Sequence, residues 1–581
     1  MTTSVFGSLP SGFSAALDKL DQEKFPQRLR EHDASLWKSE PEHQKIIKNS
    51  LGWLTVADTM LEHIDEVLSF VEDVKREGYQ HAVVLGMGGS SLCPDVCRAT
   101  FGTARGYLDL HILDSTVPAR ILSIEKSIDL ARTIFLVSSK SGGTVEPLSF
   151  FKYFYDRVHS LKGDAAAENF VAITDPGTTL EKLAHEKKFR HVFPGQPDIG
   201  GRYSALSNFG IVPAALEGVD VRGLLTRAQR AAHAGDVSVA AEENPGVSLG
   251  AIMGEAALEG RNKLTFVVSP GIRTIGDWLE QLIAESTGKE GKGVIPVAGE
   301  VLAGASVYGK DRIFVRVQLR SESDELVDKQ LKALGAAGHP IIRIELKDKL
   351  DLGGEFLRWE VATATAGSLL GIDAFDQPNV QESKDNTNRL LAQFTTEGKL
   401  PEDSPLVKTD EINLFGQANG KSAGSAEDYL FDFLAQRRLN QDYVAIMAYL
   451  EPTSEHDAAL GKIRMAIRDG LCVATTLGYG PRFLHSTGQL HKGGPHDGLF
   501  IQITCEDAVD VPIPGEPYTF SVLKRAQALG DLQSLQSRNL RVIRFHLVKN
   551  TEDGLAALSA LISNAVKRVG KPASPQAAGR G

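Results

Sequence analysis

Two glycine-rich turns, each following an apolar strand segment, constrain this chain most strongly. The first is HAVVLGMGGSSLCPDV at 81–96, and the second is TIFLVSSKSGGTVEP at 133–147. Two further apolar segments, LDLHILD and NFVAIT, alternate with helical patterns in the same region. A strand, a turn and a helix in repeated order are typical of a parallel sheet with crossover helices. The sequence therefore predicts an α/β domain over 79–235.

A second group of strand segments follows, with KLTFVVS, DRIFVRVQL and HPIIRIEL, and it predicts another α/β domain over 236–393. Residues 429–570 repeat the strand and helix alternation and are predicted to form a C-terminal α/β segment. The expected fold class is therefore α/β, with αβα sandwiches built on parallel sheets and this further α/β segment.

Three other segments lack this alternation. Residues 1–78 are predicted to be helical, because Ile64, Val67 and Val71 recur at helical spacing. Residues 394–428 lose the apolar rhythm and are interpreted as a linker or surface loop. Residues 571–581, KPASPQAAGRG, are expected to be a disordered tail.

Composition and charge exclude several classes of function. A net charge of -11 disfavours nucleic acid and anionic membranes as partners. The N-terminus lacks a secretory signal pattern, and no apolar run approaches the ~18–20 residues of a membrane span. The four cysteines form no CxxC pair, which favours cytosolic thiols. We therefore expect a cytoplasmic protein with no membrane or nucleic-acid partner.

The two turns have the chemistry of a phosphate site. A helix that follows a glycine turn offers free backbone N–H groups and a partial positive charge to an anion. Ser90 and Ser91 can add hydroxyl donors from the first turn, and Ser139, Ser141 and Thr144 can do so from the second. Two such turns in one sheet suit a single phosphate that is held from two sides.

Other interpretations of the turns are open from the residues alone. Neither turn has the GxxxxGK[ST] pattern of a P-loop NTPase. A dinucleotide site is more plausible, since GMGGSS is followed by Asp114 where an acid could bind a ribose, although the third glycine is missing. Ordinary tight turns with surface serines are the third possibility.

Three more sequence blocks follow the two turns, namely IGGRYSALSNFG, WLEQLIAESTGKEGKG and FDQPNVQESK. Together the five blocks resemble, in order, the signature segments of the phosphoglucose isomerase family of sugar-phosphate isomerases. The resemblance implies sugar isomerase-type domains and the reversible conversion of glucose 6-phosphate to fructose 6-phosphate, a step of glycolysis and gluconeogenesis. It also implies that no cofactor and no metal take part.

The resemblance assigns roles residue by residue. Glu285 would be the base that moves a proton between adjacent carbons, Arg202 would stabilise the negative intermediate, and Lys384 would assist at the ring oxygen. The residues implied in substrate binding are Gly89, Ser90, Ser139, Lys140, Ser141, Thr144, Gln281 and Gln377.

The ring-opening histidine departs from the family pattern. The family has it between the glutamate and lysine blocks, where this chain has only His339 in an apolar strand start. The block RFLHSTGQLHKGG resembles the missing motif and assigns the role to His485, with His491 in reserve. A metal site made by His485, His491 and His496 is an alternative, but their spacing fits common ligand patterns poorly.

This late histidine block resembles the C-terminal region of isomerases that are fused to transaldolase, although residues 1–78 are too short for a transaldolase barrel. Within the enzyme class, a dual phosphoglucose/phosphomannose isomerase is the main alternative. A sugar-phosphate-binding regulator without catalysis, and a nicotinamide oxidoreductase, are alternatives from other classes. Family members are commonly dimers, so a homodimer is a possible assembly.

Overall fold

The computed structural model describes residues 2–235, 239–401, 403–416 and 424–570. The predicted disordered tail at 571–581 lies outside the described residues. Within the described ranges, no helix is long and apolar enough to cross a membrane.

The N-terminal segment contains one strand and four helices before the first sheet. They are β1 (Thr2–Phe6), α1 (Phe13–Gln22), α2 (Phe25–Arg30), α3 (Pro41–Lys48) and α4 (Val56–Arg76). The prediction of a wholly helical segment was wrong at β1, which pairs with Ile341–Glu345 of a later strand. Val5 and Phe6 favour a strand, and the partner that fixes them is more than three hundred residues away in sequence.

The first α/β unit contains five parallel strands in the order β3-β2-β4-β5-β6. Its elements are β2 (His81–Gly86), α5 (Leu92–Phe101), β3 (Asp109–Leu113), α6 (Pro118–Ser127), β4 (Thr133–Ser138), α7 (Val145–Lys162), β5 (Phe170–Thr174), α8 (Thr179–Lys187) and β6 (His191–Pro194). Three helices lead from it to the second unit: α9 (Asn208–Glu217), α10 (Val221–Ala234) and α11 (Pro245–Leu258).

The second unit has the strand order β10-β9-β7-β8, with β1 added antiparallel at its edge. Its elements are β7 (Lys263–Val268), α12 (Ile275–Thr287), β8 (Ile295–Val297), β9 (Arg312–Leu319), α13 (Glu325–Ala336), β10 (Ile341–Leu346) and α14 (Leu352–Leu370). The predicted strands KLTFVVS, DRIFVRVQL and HPIIRIEL correspond to β7, β9 and β10.

The third unit has the strand order β11-β12-β16-β15-β13-β14. In chain order it begins with α15 (Val380–Glu397), the two edge strands β11 (Val407–Lys408) and β12 (Ile412–Phe415), and α16 (Ala426–Ala435). It continues with β13 (Tyr443–Tyr449), α17 (Ser454–Leu471), β14 (Ala474–Tyr479), α18 (Gly488–Gly493), β15 (Gly498–Cys505), α19 (Phe520–Ser537), β16 (Arg541–Leu547) and α20 (Thr551–Val569).

The described residues of the stretch 394–428 are more ordered than a linker or surface loop. The stretch contains the end of α15, and β12 within it pairs with β16 at the edge of the third sheet. Ile412 and Leu414 are buried there, because the face of β16 that they meet belongs to the core of the third unit. The short length of β11 and β12 explains why their apolar alternation is weak in the sequence.

The three units share one strand order. In each, the first strand is central, the second lies on one side, and the third and fourth lie on the other side, as β3-β2-β4-β5, β8-β7-β9-β10 and β14-β13-β15-β16. All of these neighbouring strands are parallel. The strand order therefore reverses between the first and third strands of each unit, and ligands of open parallel sheets bind at the carboxyl ends beside such a reversal.

Candidate active site

A cleft of about 1370 Å³ opens at the carboxyl ends of β2 and β4, the reversal point of the first sheet. The structure brings together the twelve residues to which the resemblance assigns a catalytic or substrate-binding role, because every one of them lines this cleft. They are Gly89, Ser90, Ser139, Lys140, Ser141, Thr144, Arg202, Gln281, Glu285, Gln377, Lys384 and His485.

The first glycine turn forms one wall of the cleft. It contains a 3-10 turn at Gly88–Ser90 between β2 and α5. A Cβ atom on Gly89 would lie 1.9 Å from the carbonyl oxygen of Gly201, so the turn can approach the segment that carries Arg202 only if residue 89 has no side chain. Glycine at this position therefore sets the distance between two walls of the site.

The second turn, residues 139–144, runs from the end of β4 to the N-terminus of α7. Its hydroxyl groups face one another, with Ser139 Oγ 3.2 Å and Ser141 Oγ 3.4 Å from Thr144 Oγ1. The ammonium of Lys140 contacts Asp175 and donates to the carbonyl oxygen of Gln196 at 3.2 Å. The hydroxyl cluster and the helix N-terminus together form a seat for an anion.

Glu285 and Arg202 meet across the cleft. One carboxylate oxygen of Glu285 is 3.3 Å from Arg202 Nη1, and the other accepts a hydrogen bond of 3.0 Å from Gln281 Nε2. Gln281 and Glu285 lie one turn apart on α12, so they share a face of that helix. Both carboxylate oxygens therefore have a fixed direction.

Arg202 is held rigidly. Its side chain is almost fully buried and donates to Ser286 Oγ at 2.7 Å, to Gln377 Oε1 at 2.9 Å and to the carbonyl oxygen of Ala374 at 2.7 Å. Ser286 was missed in the sequence, although it directly follows Glu285. Because a guanidinium with this many partners has little freedom, its charge is preorganised toward the cleft.

His485 enters the cleft from the third unit, in a short 3-10 turn at Arg482–His485. Its Nε2 is 2.9 Å from Glu146 Oε1, and Glu146 also accepts a hydrogen bond of 2.7 Å from Gln527 Nε2. Glu146 lies in the first turn of α7, two residues after Thr144, so an acid beside the predicted phosphate turn was the available signal for it. Gln527 of α19 carried no signal in the sequence.

Glu146 is charged despite its burial. Burial by itself would raise the pKa of this carboxyl, but His485 and the backbone N–H of Glu146 lower the pKa below its ordinary value of 4.5. An ionised Glu146 is a hydrogen-bond acceptor only, so it fixes a proton on Nε2 of His485. The other ring nitrogen of His485 is then the one available for proton exchange.

Arg482 attaches the His485 turn to the other two units. Its guanidinium is 3.3 Å from Asp95 and 3.4 Å from Asp114 in the first unit, and 3.9 Å from Asp277 on α12. Asp114 also accepts from Ser91 Oγ at 3.3 Å. The acid that a dinucleotide site would use for a ribose is thus engaged in an ion pair beside His485.

The other histidines do not join His485. His491 is buried against the rings of Phe483 and Phe500, and burial lowers its pKa to about 3. His339 packs against the ring of Phe314, with 5.4 Å between ring centroids. Of the clusters in the described part of the chain that could hold a metal ion, neither includes His485, His491 or His496.

Lys384 lies near the start of α15, with an exposed side chain at the edge of the cleft. Its positive charge contributes to the low pKa of Glu146. The structure therefore places an exposed cation close enough to the His485–Glu146 pair to act on it electrostatically.

This site, at the end of a parallel sheet and beneath a second α/β unit, defines an α/β protein of the sugar isomerase type. The family model described as phosphoglucose isomerase matches residues 53–310. Over this part of its length the chain is therefore similar to the phosphoglucose isomerase family.

Two curated relatives agree with this assignment. The glucose-6-phosphate isomerase of Rubrobacter xylanophilus is 28% identical over 58% of this chain and 88% of its own length. The probable glucose-6-phosphate isomerase of Methanococcus maripaludis is 27% identical over 60% of this chain and 86% of its own length. A crystal structure of a glucose-6-phosphate isomerase from Chlamydia trachomatis has a similar fold, with a TM-score of 0.56 and 18% identity over 66% of this chain and 86% of that one.

Proposed function

We propose that the protein interconverts glucose 6-phosphate and fructose 6-phosphate without a cofactor. The observation that carries the proposal is the convergence of Glu285, Arg202 and His485 on one cleft, although they come from different units of the chain. The names of the relatives support the choice of substrate. A regulator that only binds a sugar phosphate would need the phosphate seat but not these three groups.

The phosphate of the substrate would occupy the seat formed by Ser139, Ser141 and Thr144 at the N-terminus of α7. Backbone N–H groups and the helix dipole stabilise a phosphate dianion at such a position. The sugar would then extend along the cleft toward Glu285, and Ser90 would bind it from the first glycine turn.

Ring opening would use His485. With Nε2 committed to Glu146 at 2.9 Å, the Nδ1 atom exchanges a proton with the ring oxygen of the sugar. Imidazole suits this step because histidine is the side chain that most often serves as a general acid and base. Lys384 would stabilise the charge on the ring oxygen as the C1–O5 bond breaks.

Isomerisation would then proceed through a cis-enediolate. Glu285 removes the proton from C2 of the open aldose and returns it to C1, while a proton moves from the hydroxyl on C2 to the oxygen on C1. The enediolate is negative, and Arg202, 3.3 Å from Glu285, is positioned to stabilise that charge. Gln281 would keep the carboxylate in line through its 3.0 Å hydrogen bond.

The proposal is tested by following glucose 6-phosphate formation from fructose 6-phosphate with a coupled dehydrogenase. Glu285→Gln keeps the shape of the side chain but cannot accept the proton, so we expect nearly complete loss of kcat. Glu290→Gln is the matched control, because Glu290 is an exposed acid shortly after α12 and pairs with Lys38. A folded Glu285→Gln variant with normal kcat would contradict the assignment of the base.

A further inference from the structure

A second cavity lies in the third unit, at the position that corresponds to the phosphate seat of the first. The catalytic cleft opens where β2 and β4 end, and the equivalent strands of the third unit are β13 and β15. These strands end at Tyr449 and Cys505, and both residues line a cavity of about 280 Å³. The same strand order therefore places a cavity at the same topological point in both units.

The polar wall of this cavity follows from strand alternation. One face of β15 and β16 carries Ile501, Ile503 and Phe545 into the apolar core. The opposite face carries Thr504 and His546, which lie side by side in the strand register. Because α19 covers this second face only in part, its polar side chains border a cavity instead of a closed core.

Among the described residues, the lining of the cavity has more cationic side chains than carboxylates. Four cationic side chains, Lys408, Lys524, Arg525 and Arg544, line it, against the carboxylates of Asp403 and Glu506. Lys524 is matched by an ion pair of 2.6 Å with Asp507. The local surplus contrasts with the net charge of -11 of the whole chain and favours an anionic occupant.

Arg544 has a largely buried guanidinium with a hydrogen-bond donor that lacks an acceptor within the described part of the chain. Its side chain is 10% exposed, its guanidinium lies 4.0 Å from the ring centroid of Phe415, and a carboxylate oxygen of Asp403 is 3.8 Å away. Its Nε has no hydrogen-bond partner among the described residues, and neither has the buried hydroxyl of Tyr449. Buried donors without acceptors are costly, and an anion in the cavity would satisfy them.

We propose that this cavity binds a small phosphorylated anion at a site separate from the catalytic cleft. A volume of about 280 Å³ lies at the small end of ligand pockets, so it suits a phosphate or a short phosphate ester better than a nucleotide. The Arg544 guanidinium would form the charge-assisted hydrogen bonds.

The cavity is connected to the catalytic histidine by direct contacts. The ring of Tyr449 packs edge-on against Phe483, with 5.4 Å between centroids, and Phe483 is two residues before His485. Helix α19 contributes Lys524 to the cavity and Gln527 to the hydrogen bond with Glu146. An anion bound here would therefore act on the His485–Glu146 pair from two sides; this kinetic part rests on the proposed isomerase function.

Equilibrium dialysis with inorganic phosphate tests the binding itself. We expect two phosphates per chain for the parent, one for Arg544→Gln, and one for Ser141→Asp, which places a carboxylate in the catalytic phosphate seat. The loss at the second site should be roughly tenfold or more in affinity, as for a charge-assisted hydrogen bond. Arg568→Gln is the control, since Arg568 also lies over a ring, that of Phe431, but pairs with Glu427 and Asp428 on α16.

Tyr449→Phe provides a second variant that preserves the ring packing, and it should bind the second phosphate several-fold more weakly.

At saturating fructose 6-phosphate, added phosphate should still change kcat of the parent at least twofold, and Arg544→Gln should remove this response. The proposal would be overturned if the parent bound only one phosphate per chain, or if folded Arg544→Gln still bound two. It would also be overturned if the second site bound malonate as tightly as phosphate. A parent that binds two phosphates but has no isomerase activity would refute the proposed function and leave this site standing.

Discussion

At the scale of single residues, the site depends on pairs whose members come from distant parts of the sequence. Glu146 and His485 are separated by more than three hundred residues yet lie 2.9 Å apart. That Glu285, Arg202 and His485 belong to one site could be predicted from the sequence, because each lies in a recognisable block, and all three line the same cleft. Glu146 had only its place beside the phosphate turn as a signal, and Gln527 had none, because it is the fold that brings His485 and Gln527 to Glu146.

His485→Ala should slow turnover of ring-closed sugar by roughly 10²–10⁴, the usual contribution of a general acid–base group. The loss should be smaller with substrate supplied in the open-chain form, which bypasses ring opening. Stopped-flow measurement of both rates separates the steps. His496→Ala, at an exposed histidine in the same segment, should retain the parent rate; an equal loss on both substrate forms would argue against a ring-opening role.

Glu146→Gln tests the ionisation of the buried acid. Because the pKa of Glu146 is below 4.5 in the folded protein, its charged form adds stability above that pH, and the contribution is lost as the pH falls through the folded pKa. The variant should therefore be less stable by about 1–3 kcal/mol at neutral pH, with a difference that shrinks in acid. Urea unfolding over a pH series measures this. Exposed Glu186→Gln should show no such trend, and a difference independent of pH would contradict the account.

At the scale of elements, the strands and helices of the parallel units could largely be predicted, because each long element carries its own periodicity. The failures were short or edge elements such as β1 and β12, whose positions depend on partners far along the chain. The close approach of the two glycine segments is likewise a property of packing. The local sequence indicated a turn at Gly89, but it could not show that this turn packs against the backbone of Gly201.

Gly89→Ala should damage the site by forcing these two segments apart. The new Cβ would fall 1.9 Å from the carbonyl oxygen of Gly201 and 2.4 Å from its carbonyl carbon. Both are backbone atoms, so they cannot rotate away as a side chain could. We expect a lower melting temperature and at least a hundredfold loss of kcat, in line with ~10²-fold costs for displacements near 1 Å. Gly143→Ala is the matched control for stability, since its Cβ would meet no heavy atom within 4 Å. Equal melting temperatures for the two variants would refute the packing argument.

At the scale of the whole molecule, three units with the same strand order each contribute residues to a single cleft. The first unit supplies the phosphate seat, α12 of the second supplies Glu285, and the third supplies His485. A buried ion pair links the third unit to the second, where Lys263 lies 3.6 Å from Asp497, and Asp311 of the second unit lies 3.5 Å from the same ammonium. The sequence indicated a C-terminal α/β segment, but it could not show which cleft this segment completes.

Lys263→Met should loosen this docking. It leaves buried Asp311 without its cation, a change that typically costs about 3–5 kcal/mol, whereas Asp497 keeps Arg438 at 3.3 Å. Chemical unfolding should show the loss, and kcat should fall because the third unit carries His485. Exposed Lys310→Met should be nearly neutral. Unchanged stability of Lys263→Met would mean that the pairs do not hold the units together.

The central claim is that one chain contains a complete site, with Glu285 and His485 lining the same cleft. The most direct measurement mixes the inactive variants Glu285→Gln and His485→Ala under conditions that allow subunit exchange, and compares isomerase activity with each variant alone. Because each chain must supply both residues to its own cleft, the mixture should show no recovered activity. Recovery toward about a quarter of the parent rate, the yield of random pairing when one intact site forms per mixed dimer, would show that His485 acts in a partner's site and would contradict the account.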